Sequence, residues 1–220
     1  MSLIATQDKV EQGRGSIAGL ARGLSSPWVG VAMVSIAVLG QSFGHHNGDN
    51  SWLFTVAEKV LDGARPYVDV IESNPPAAFL FYAPAVWAAR LAHVSVEFAA
   101  SALVFLCCGA SIWLSGRVLR GTNLFSPREL GFLGNAAIFA LVLLPGYSFA
   151  EREHIACLLI LPVLAVYVGR ASGAPIGIGA AATAGLAAAL SMAIKPHFAL
   201  AVIVPLAYVV VVCPLKSDPP

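Results

Sequence analysis

Ionisable residues in this sequence gather at the ends of apolar runs, where a side chain can meet both water and a reacting group. Asp49 follows the first apolar run, within the segment GHHNGDNSWLF. A carboxylate at the border of water and lipid is suited to act as a general base that accepts a proton from a hydroxyl. A structural alternative is that Asp49, Asn50 or Ser51 caps a helix over residues 51–61. Asp49 is therefore the candidate catalytic residue, with capping as the competing interpretation.

Two further carboxylates, Asp69 and Glu72, precede the proline pair Pro75 and Pro76. Proline fixes the direction of the backbone, so these carboxylates are held at a defined place before the next apolar run. They are candidates for binding a substrate hydroxyl or a cation. Solvated loop charge is the alternative interpretation.

A tight turn between two apolar runs carries four consecutive ionisable residues, Glu151, Arg152, Glu153 and His154. Such a turn can bind a metal ion, a phosphate or a sugar, and Arg152 is the natural phosphate partner because the guanidinium matches phosphate geometry. Arg152, Glu153 and His154 are candidate substrate-binding residues. Glu151, Glu153 and Asp49 are the candidate ligands if a divalent cation is the cofactor. The alternative is an ion-pair cluster that caps the helix beginning at 155.

The last candidates are Lys195 and His197, which flank Pro196 at the end of another apolar run. Proline ends a helix at this boundary, so either side chain can contact a phosphate at the membrane surface. A lysine that extends its charge from an apolar helix into water explains Lys195 nearly as well.

The composition tells what kind of element must position these residues. The chain of 220 residues is 58% hydrophobic and 11% charged, against about 45–50% and about 25% in ordinary soluble domains. At about 20 residues per spanning helix, it has room for about six transmembrane helices, and its mean hydropathy of +0.78 agrees. The net charge of +1 shows no basic excess that would indicate nucleic acid. The sequence therefore predicts an all-α polytopic membrane protein that binds no nucleic acid.

The apolar runs set the expected topology. They are Trp28–Phe43, Ala77–Ala92, Phe98–Leu114, Leu130–Phe149, Ile155–Gly169, Ile176–Ile194 and Phe198–Cys213. The second run has Pro84 in its middle and Arg90 near its end, so it either spans or lies in the interface. More Lys and Arg residues fall on the cytoplasmic side if it does not span, and the positive-inside rule favours that topology.

This topology divides the chain into three parts. Residues 1–26 form a cytoplasmic N-terminal segment, 27–213 the membrane domain, and 214–220 a cytoplasmic tail. Within the membrane domain, segment 44–97 is an outer loop with interfacial helices. All the candidate site residues then face the same outer side, which predicts a multi-pass protein of the cytoplasmic (inner) membrane whose site faces the periplasm or exterior.

Several motifs in this order resemble the membrane glycosyltransferases of the GT-C fold, which include protein O-mannosyltransferases and lipid A aminoarabinose transferases. The resemblance covers roughly residues 27–200 and rests on Asp49-Asn50, the stretch VLDGARPYVDVIESNPPAAFLFYAP, the EREH turn and KPHF. It implies that the carboxylate after the first span, here Asp49, activates the acceptor. It also implies that run 77–92 does not span. The family often has Lys before Pro-Pro, where this chain has Ser73-Asn74.

The resemblance implies transfer of a sugar, with inversion, from a polyprenyl-phosphate donor to an acceptor at the outer membrane face. Arg152, Lys195 and His197 would neutralise the leaving phosphate, and the carboxylates would position the acceptor or hold a divalent cation. The expected partners are the polyprenyl-phosphate-linked sugar and membrane lipid. Such enzymes are usually much longer, so the chain is expected to match their N-terminal half, as a truncated product or as a module whose C-terminal half is a second polypeptide.

Two other functions fit parts of the sequence. A truncated, non-catalytic remnant or assembly partner of such an enzyme would fit the length. A small transporter or flippase would use intramembrane ionisable residues as a pathway, but those residues would lie near the middle of the helices. The ionisable residues of this chain fall at the ends of the runs, which favours the glycosyltransferase.

Overall fold

The computed structural model describes residues 23–43 and 47–212. The expected cytoplasmic tail and most of the expected N-terminal segment lie outside these ranges. Apart from one isolated bridge between Pro66 and Val70, the regular structure of the described residues is helical. The helices are α1 (Pro27–Phe43), α2 (Gly48–Leu61), α3 (Pro76–Leu80), α4 (Ala83–Ala92), α5 (Val96–Arg120), α6 (Pro127–Ile138), α7 (Arg152–Ala171), α8 (Ile178–Ile194) and α9 (Ala199–Val212).

Helix α6 does not end as a regular α-helix. It continues as a π-helical turn, Phe139–Leu143, in which the N–H of Leu144 bonds back to the carbonyl of Phe139 at 2.8 Å. A 3₁₀ turn, Gly146–Ser148, then leads towards α7. The chain thus leaves the helix through two irregular turns, which shape the connection that carries the residues before Arg152.

The long helices run back and forth between two ends of one bundle. Gln41 near the end of α1 donates a hydrogen bond to the carbonyl of Gly146 after α6 at 2.8 Å, so α1 and α6 finish at the same end. Glu153 at the start of α7 pairs with Lys195 at the end of α8. We call this the polar end, where α1, α6 and α8 finish and α5, α7 and α9 begin.

Helices α2, α3 and α4 cover the polar end, and their apolar faces pack onto the bundle below. The largest fully buried side chains include Leu53 of α2, Phe79 of α3 and Tyr82, which precedes α4. Phe54 meets the Tyr82 ring edge-on, with ring centroids 4.9 Å apart. These side chains form one core cluster with Phe149, so the covering helices are part of the folded core.

The apolar run at 77–92 is broken into the two short helices α3 and α4, and Pro84 lies in the first turn of the second. Neither helix approaches the 20 or so residues that a span requires. Arg90 near the end of α4 pairs with Asp62 at the end of α2, with 2.8 Å between Nη1 and Oδ1. The run therefore folds back onto α2 instead of forming one long helix.

The apolar helices indicate association with a membrane. Among the described residues, α5 and α7 are each long and apolar enough to cross it, and α1 with α2 passes the same test as a bent pair, for a total of two or three candidate spans. Large apolar side chains also point outwards from the bundle, such as Leu106 and Trp113 of α5. The prediction of an all-α fold is thus confirmed for the described residues, and two or three candidate spans, not six, are found by length and composition.

Candidate functional site

Polar side chains from four separate segments meet at the polar end. They come from the start of α2, the loop before α3, the start of α7 and the end of α8. We call them the polar cluster, which consists of Asn47, Asp49, Glu72, Asn74, Glu151, Arg152, Glu153 and Lys195. The topology therefore brings together residues that are up to 148 positions apart in the chain.

Arg152 is the centre of the polar cluster. It is the first residue of α7, and its side chain is only 9% exposed. Its Nη2 donates to Oδ2 of Asp49 at 2.6 Å, and its Nη1 donates to Oδ1 of Asn74. The buried Nε has no hydrogen-bond partner among the described residues. The guanidinium is thus held from two sides with part of its donor capacity unused.

Asp49 lies in the first turn of α2, and its side chain is 46% exposed. The competing interpretation of Asp49, Asn50 or Ser51 as the helix cap is wrong, because Asn47 is the cap. The Oδ1 of Asn47 accepts a hydrogen bond from the N–H of Asn50 at 2.9 Å. Asp49 is therefore left free to pair with Arg152 on one side and to meet a ligand on its exposed side.

Glu72 orients Asn74 towards the guanidinium. Oε1 of Glu72 accepts hydrogen bonds from the backbone N–H and the side-chain Nδ2 of Asn74, at 2.8 and 2.5 Å. Its Oε2 accepts from Nε1 of Trp52 at 2.7 Å. Burial acts to raise the pKa of Glu72, but the hydrogen bonds from Asn74, Trp52 and Ser73 outweigh it and hold the pKa below its usual value. With Nδ2 engaged, the carbonyl oxygen of Asn74 faces Arg152.

The remaining acidic residues of the turn have separate partners. Glu151 accepts a hydrogen bond from Nδ2 of Asn47, and Glu153 forms an ion pair with Lys195. Lys195 therefore does not simply extend into water, because it links the end of α8 to the start of α7. The polar cluster contains four carboxylates and two cationic side chains, so it carries an excess of negative charge.

His154 has a structural position, although its predicted role is substrate binding. The ring is buried, with Nε2 at 2.7 Å from the carbonyl of Leu141 and Nδ1 accepting from the N–H of Ala150 at 3.2 Å. Because Nδ1 accepts, the proton of the neutral ring lies on Nε2. Leu141 belongs to the π turn, and the hydroxyl of Tyr82 donates to the carbonyl of Ala150 at 2.6 Å. His154 thus holds the turn that carries Arg152.

Two predicted substrate-binding residues lie outside this hydrogen-bond network. Asp69 pairs with Arg65 in the exposed loop at 2.9 Å, and the hydrogen bonds from Arg65 hold the pKa of Asp69 below its usual value. His197 lies against the ring of the next residue, Phe198, with ring centroids 4.8 Å apart. The structure therefore connects Asp49, Arg152 and Glu72 through Asn74 by hydrogen bonds and places the Glu153–Lys195 pair beside them at the start of α7. Asp69 and His197 make other contacts.

The three candidate metal ligands do not converge on one point. Each has a separate partner, since Asp49 pairs with Arg152, Glu151 with Asn47, and Glu153 with Lys195. No group of three or more His, Cys, Asp or Glu side chains suited to a metal ion occurs within residues 23–43 and 47–212. A divalent cation at these carboxylates therefore stays a prediction.

Sequence reasoning missed the neutral members of the network. Asn74 and Asn47 carry no charge, and neither stood out from an ordinary loop residue. Asn50 is fully buried and donates to the carbonyl of Phe149 at 3.2 Å. The available signal was the repeated asparagine around Asp49, in NGDN, and the asparagine directly before Pro-Pro.

Comparisons with known proteins identify no relative of the chain. No protein-family model, curated protein or solved structure matches the chain. Function is therefore inferred from the geometry and chemistry of the polar cluster.

Proposed function

We propose that the chain is a membrane glycosyltransferase that moves a sugar from a polyprenyl-phosphate donor to an acceptor hydroxyl at the outer face of the cytoplasmic membrane. The observation that supports this most directly is the contact between Asp49 and Arg152, which lie 103 positions apart in the chain. Such a transfer needs a base for the acceptor hydroxyl and a cation for the leaving phosphate. The polar cluster provides both within one group of contacting side chains.

In the proposed reaction, the oxygen of the acceptor hydroxyl attacks the anomeric carbon of the donor sugar. The acceptor proton passes to the Asp49 carboxylate. The bond between the anomeric carbon and the phosphate oxygen breaks, and its electron pair leaves with the polyprenyl phosphate. Arg152 and Lys195, joined by His197 when the donor is bound, stabilise the charge that develops on this phosphate. Attack from the face opposite the phosphate inverts the anomeric configuration.

The carboxylates other than Asp49 would bind sugar or acceptor hydroxyls. Glu153 is partly exposed next to Lys195, and ionised carboxylates accept hydrogen bonds only. A carboxylate beside a lysine can therefore accept from a sugar hydroxyl while the lysine meets the phosphate. Glu72 contributes indirectly in this proposal, because it sets the orientation of Asn74.

The proposed membrane arrangement has six spans, namely α1, α5, α6, α7, α8 and α9, with the N-terminus in the cytoplasm. Helices α2, α3 and α4 would then lie in the interface over the polar end. The end opposite the polar end carries basic residues at the ends of α5 and α7 and at the start of α6. They are Arg117, Arg120, Arg128 and Arg170. By the positive-inside rule this end would face the cytoplasm.

Cysteine labelling in intact cells tests this orientation. Single cysteines would be placed, in a background without native cysteines, at Val68, Tyr147 and Leu124, which are 65%, 70% and 54% exposed. We expect an impermeant thiol reagent to label the first two positions in intact cells and Leu124 only after permeabilisation. Labelling of Leu124 from outside, with Tyr147 protected, would reverse the bundle and contradict an outward-facing site.

A transfer assay tests the proposed activity itself. The purified full chain, reconstituted into liposomes, would be given short-chain polyprenyl-phosphate sugars of several kinds together with hydroxyl acceptors. We expect release of polyprenyl phosphate from at least one donor, above the rate in liposomes that lack the protein. If none of the lipid-linked sugars is consumed, the enzymatic proposal has to be given up in favour of a non-catalytic role.

A further inference from the structure

Asp49 and Arg152, the base and the phosphate-binding cation of the proposed reaction, contact each other in this structure. The Nη2 of Arg152 is 2.6 Å from Oδ2 of Asp49, a distance typical of a strong, charge-assisted hydrogen bond. In this contact Oδ2 of Asp49 is not open to a hydroxyl, and Nη2 of Arg152 is not open to a phosphate. These two atoms therefore form a resting contact that a bound phosphate would have to replace.

We propose that Asp49 is the resident counter-ion of Arg152, and that the phosphate of an incoming ligand displaces it. Phosphate binding then frees the Asp49 carboxylate to take the acceptor proton. This inference rests on the proposed function, and it adds an order to the reaction, since the donor must bind before the base becomes active. The ligand class is a phosphate ester with two non-bridging oxygens, which the phosphodiester donor and its monoester product both have.

The different burial of Arg152 and Asp49 indicates that Asp49 is the partner that moves when phosphate binds. The Arg152 side chain is 9% exposed and that of Asp49 is 46% exposed. Arg152 is also held through Asn74, whose amide is fixed by Glu72. Asp49 can thus rotate towards solvent from the first turn of α2 while the guanidinium keeps its place.

The start of α7 adds to the attraction for an anion. Glu151 is the N-cap residue, but its side chain makes no capping hydrogen bond and is turned towards Asn47 instead. A helix N-terminus without a side-chain cap presents N–H groups and the positive end of the helix dipole. The buried Nε of Arg152 is a further donor at this terminus without a partner among the described residues, which adds to the attraction for an anion.

The negative charges around Arg152 decide how strongly the phosphate binds. Within the polar cluster, Asp49, Glu151, Glu153 and Glu72 are the carboxylates near Arg152, and Lys195 is the other positive charge. Displacing Asp49 leaves its charge close to the phosphate. Removing that charge should therefore tighten phosphate binding, because both the competing bond and the repulsion disappear.

The test measures binding of a fifteen-carbon isoprenyl monophosphate and of inorganic phosphate to the purified full chain by calorimetry. Asp49→Asn should bind both ligands about tenfold more tightly than the wild type, or better, because the wild type has to give up a charge-assisted bond. Asp62→Asn removes the same charge from an exposed residue that pairs with Arg90 at the other end of α2. We expect that control to change the affinity by less than about threefold.

If the wild type binds phosphate, three results would contradict the displacement of Asp49 from Arg152 by the phosphate. They are an Asp49→Asn affinity at or below that of the wild type, an equal gain in Asp62→Asn, and a gain confined to the isoprenyl ligand. Asp49→Ser provides a second carboxylate-free variant if the asparagine variant does not fold. Failure of the wild type and of every variant to bind either ligand would instead refute the phosphate site of the proposed function.

Discussion

An Asp49→Asn variant should transfer no measurable sugar although it folds and expresses like the wild type. The asparagine amide cannot accept the acceptor proton, and general-base catalysis contributes about 10²–10⁴ to a rate. The variant has nearly the same shape, and its side-chain oxygen still accepts a hydrogen bond from Arg152. Asp49 is 46% exposed, so the change buries no new polar group. Release of polyprenyl phosphate in liposomes measures the loss.

Asp62→Asn is the matched control for this variant. Asp62 is an exposed carboxylate at the other end of α2, where it pairs with Arg90. An exposed pair contributes little to stability, so transfer should stay within about twofold of the wild type. If Asp49→Asn keeps more than about a tenth of the wild-type rate, Asp49 is not the base.

Arg152→Leu should abolish phosphate binding and lower the stability of the protein. The guanidinium is the common partner of Asp49 and Asn74, and leucine leaves both oxygens without a donor. Removing one partner of a buried ion pair costs about 3–5 kcal/mol. Half-exposed Asp49 regains water, so we expect a loss of about 2 kcal/mol in the free energy of unfolding. Chemical unfolding in detergent and phosphate calorimetry measure the two effects.

Two further variants make the Arg152 result specific. Arg128→Leu removes an exposed arginine at the opposite end of the bundle and should change the unfolding free energy by less than about 0.5 kcal/mol. Arg152→Lys keeps the positive charge but lacks the planar guanidinium that donates to Asp49 and Asn74 at once. Its phosphate affinity should therefore lie between those of Arg152→Leu and the wild type. Wild-type phosphate affinity in Arg152→Leu would show that Arg152 does not bind the phosphate.

The helical elements were largely predictable because apolar runs determine where helices lie. The run Ile176–Ile194 became α8 with nearly the same bounds, and Phe98–Leu114 lies inside α5. The run Leu130–Phe149 was expected to be one helix, but it ends in irregular turns around Pro145. Apolarity shows that a segment is buried in lipid or protein, and it does not show where the hydrogen-bond pattern changes.

The candidate site was predictable only in its charged part. Asp49 and Arg152 were singled out because ionisable groups at the ends of apolar runs are costly and therefore conspicuous. Their pairing was not predictable, since it depends on how α2 and α7 pack. Asn74 was missed because a neutral amide has no such signal. The backbone contacts of His154 were not predictable either, because its type says nothing about which face of α7 it occupies.

The π turn at Phe139–Leu143 makes the length of this segment as important as its side chains. A π turn holds one residue more than the α-helical turn it replaces, and one residue corresponds to about 100° of rotation around the helix axis. A chain shorter by one residue here could form a regular helix, but the residues after it would rotate out of phase. Ala150 would then lose Tyr82 and His154 together. Chains that share this site should therefore tolerate exchanges among the apolar residues of the turn but no deletion within it.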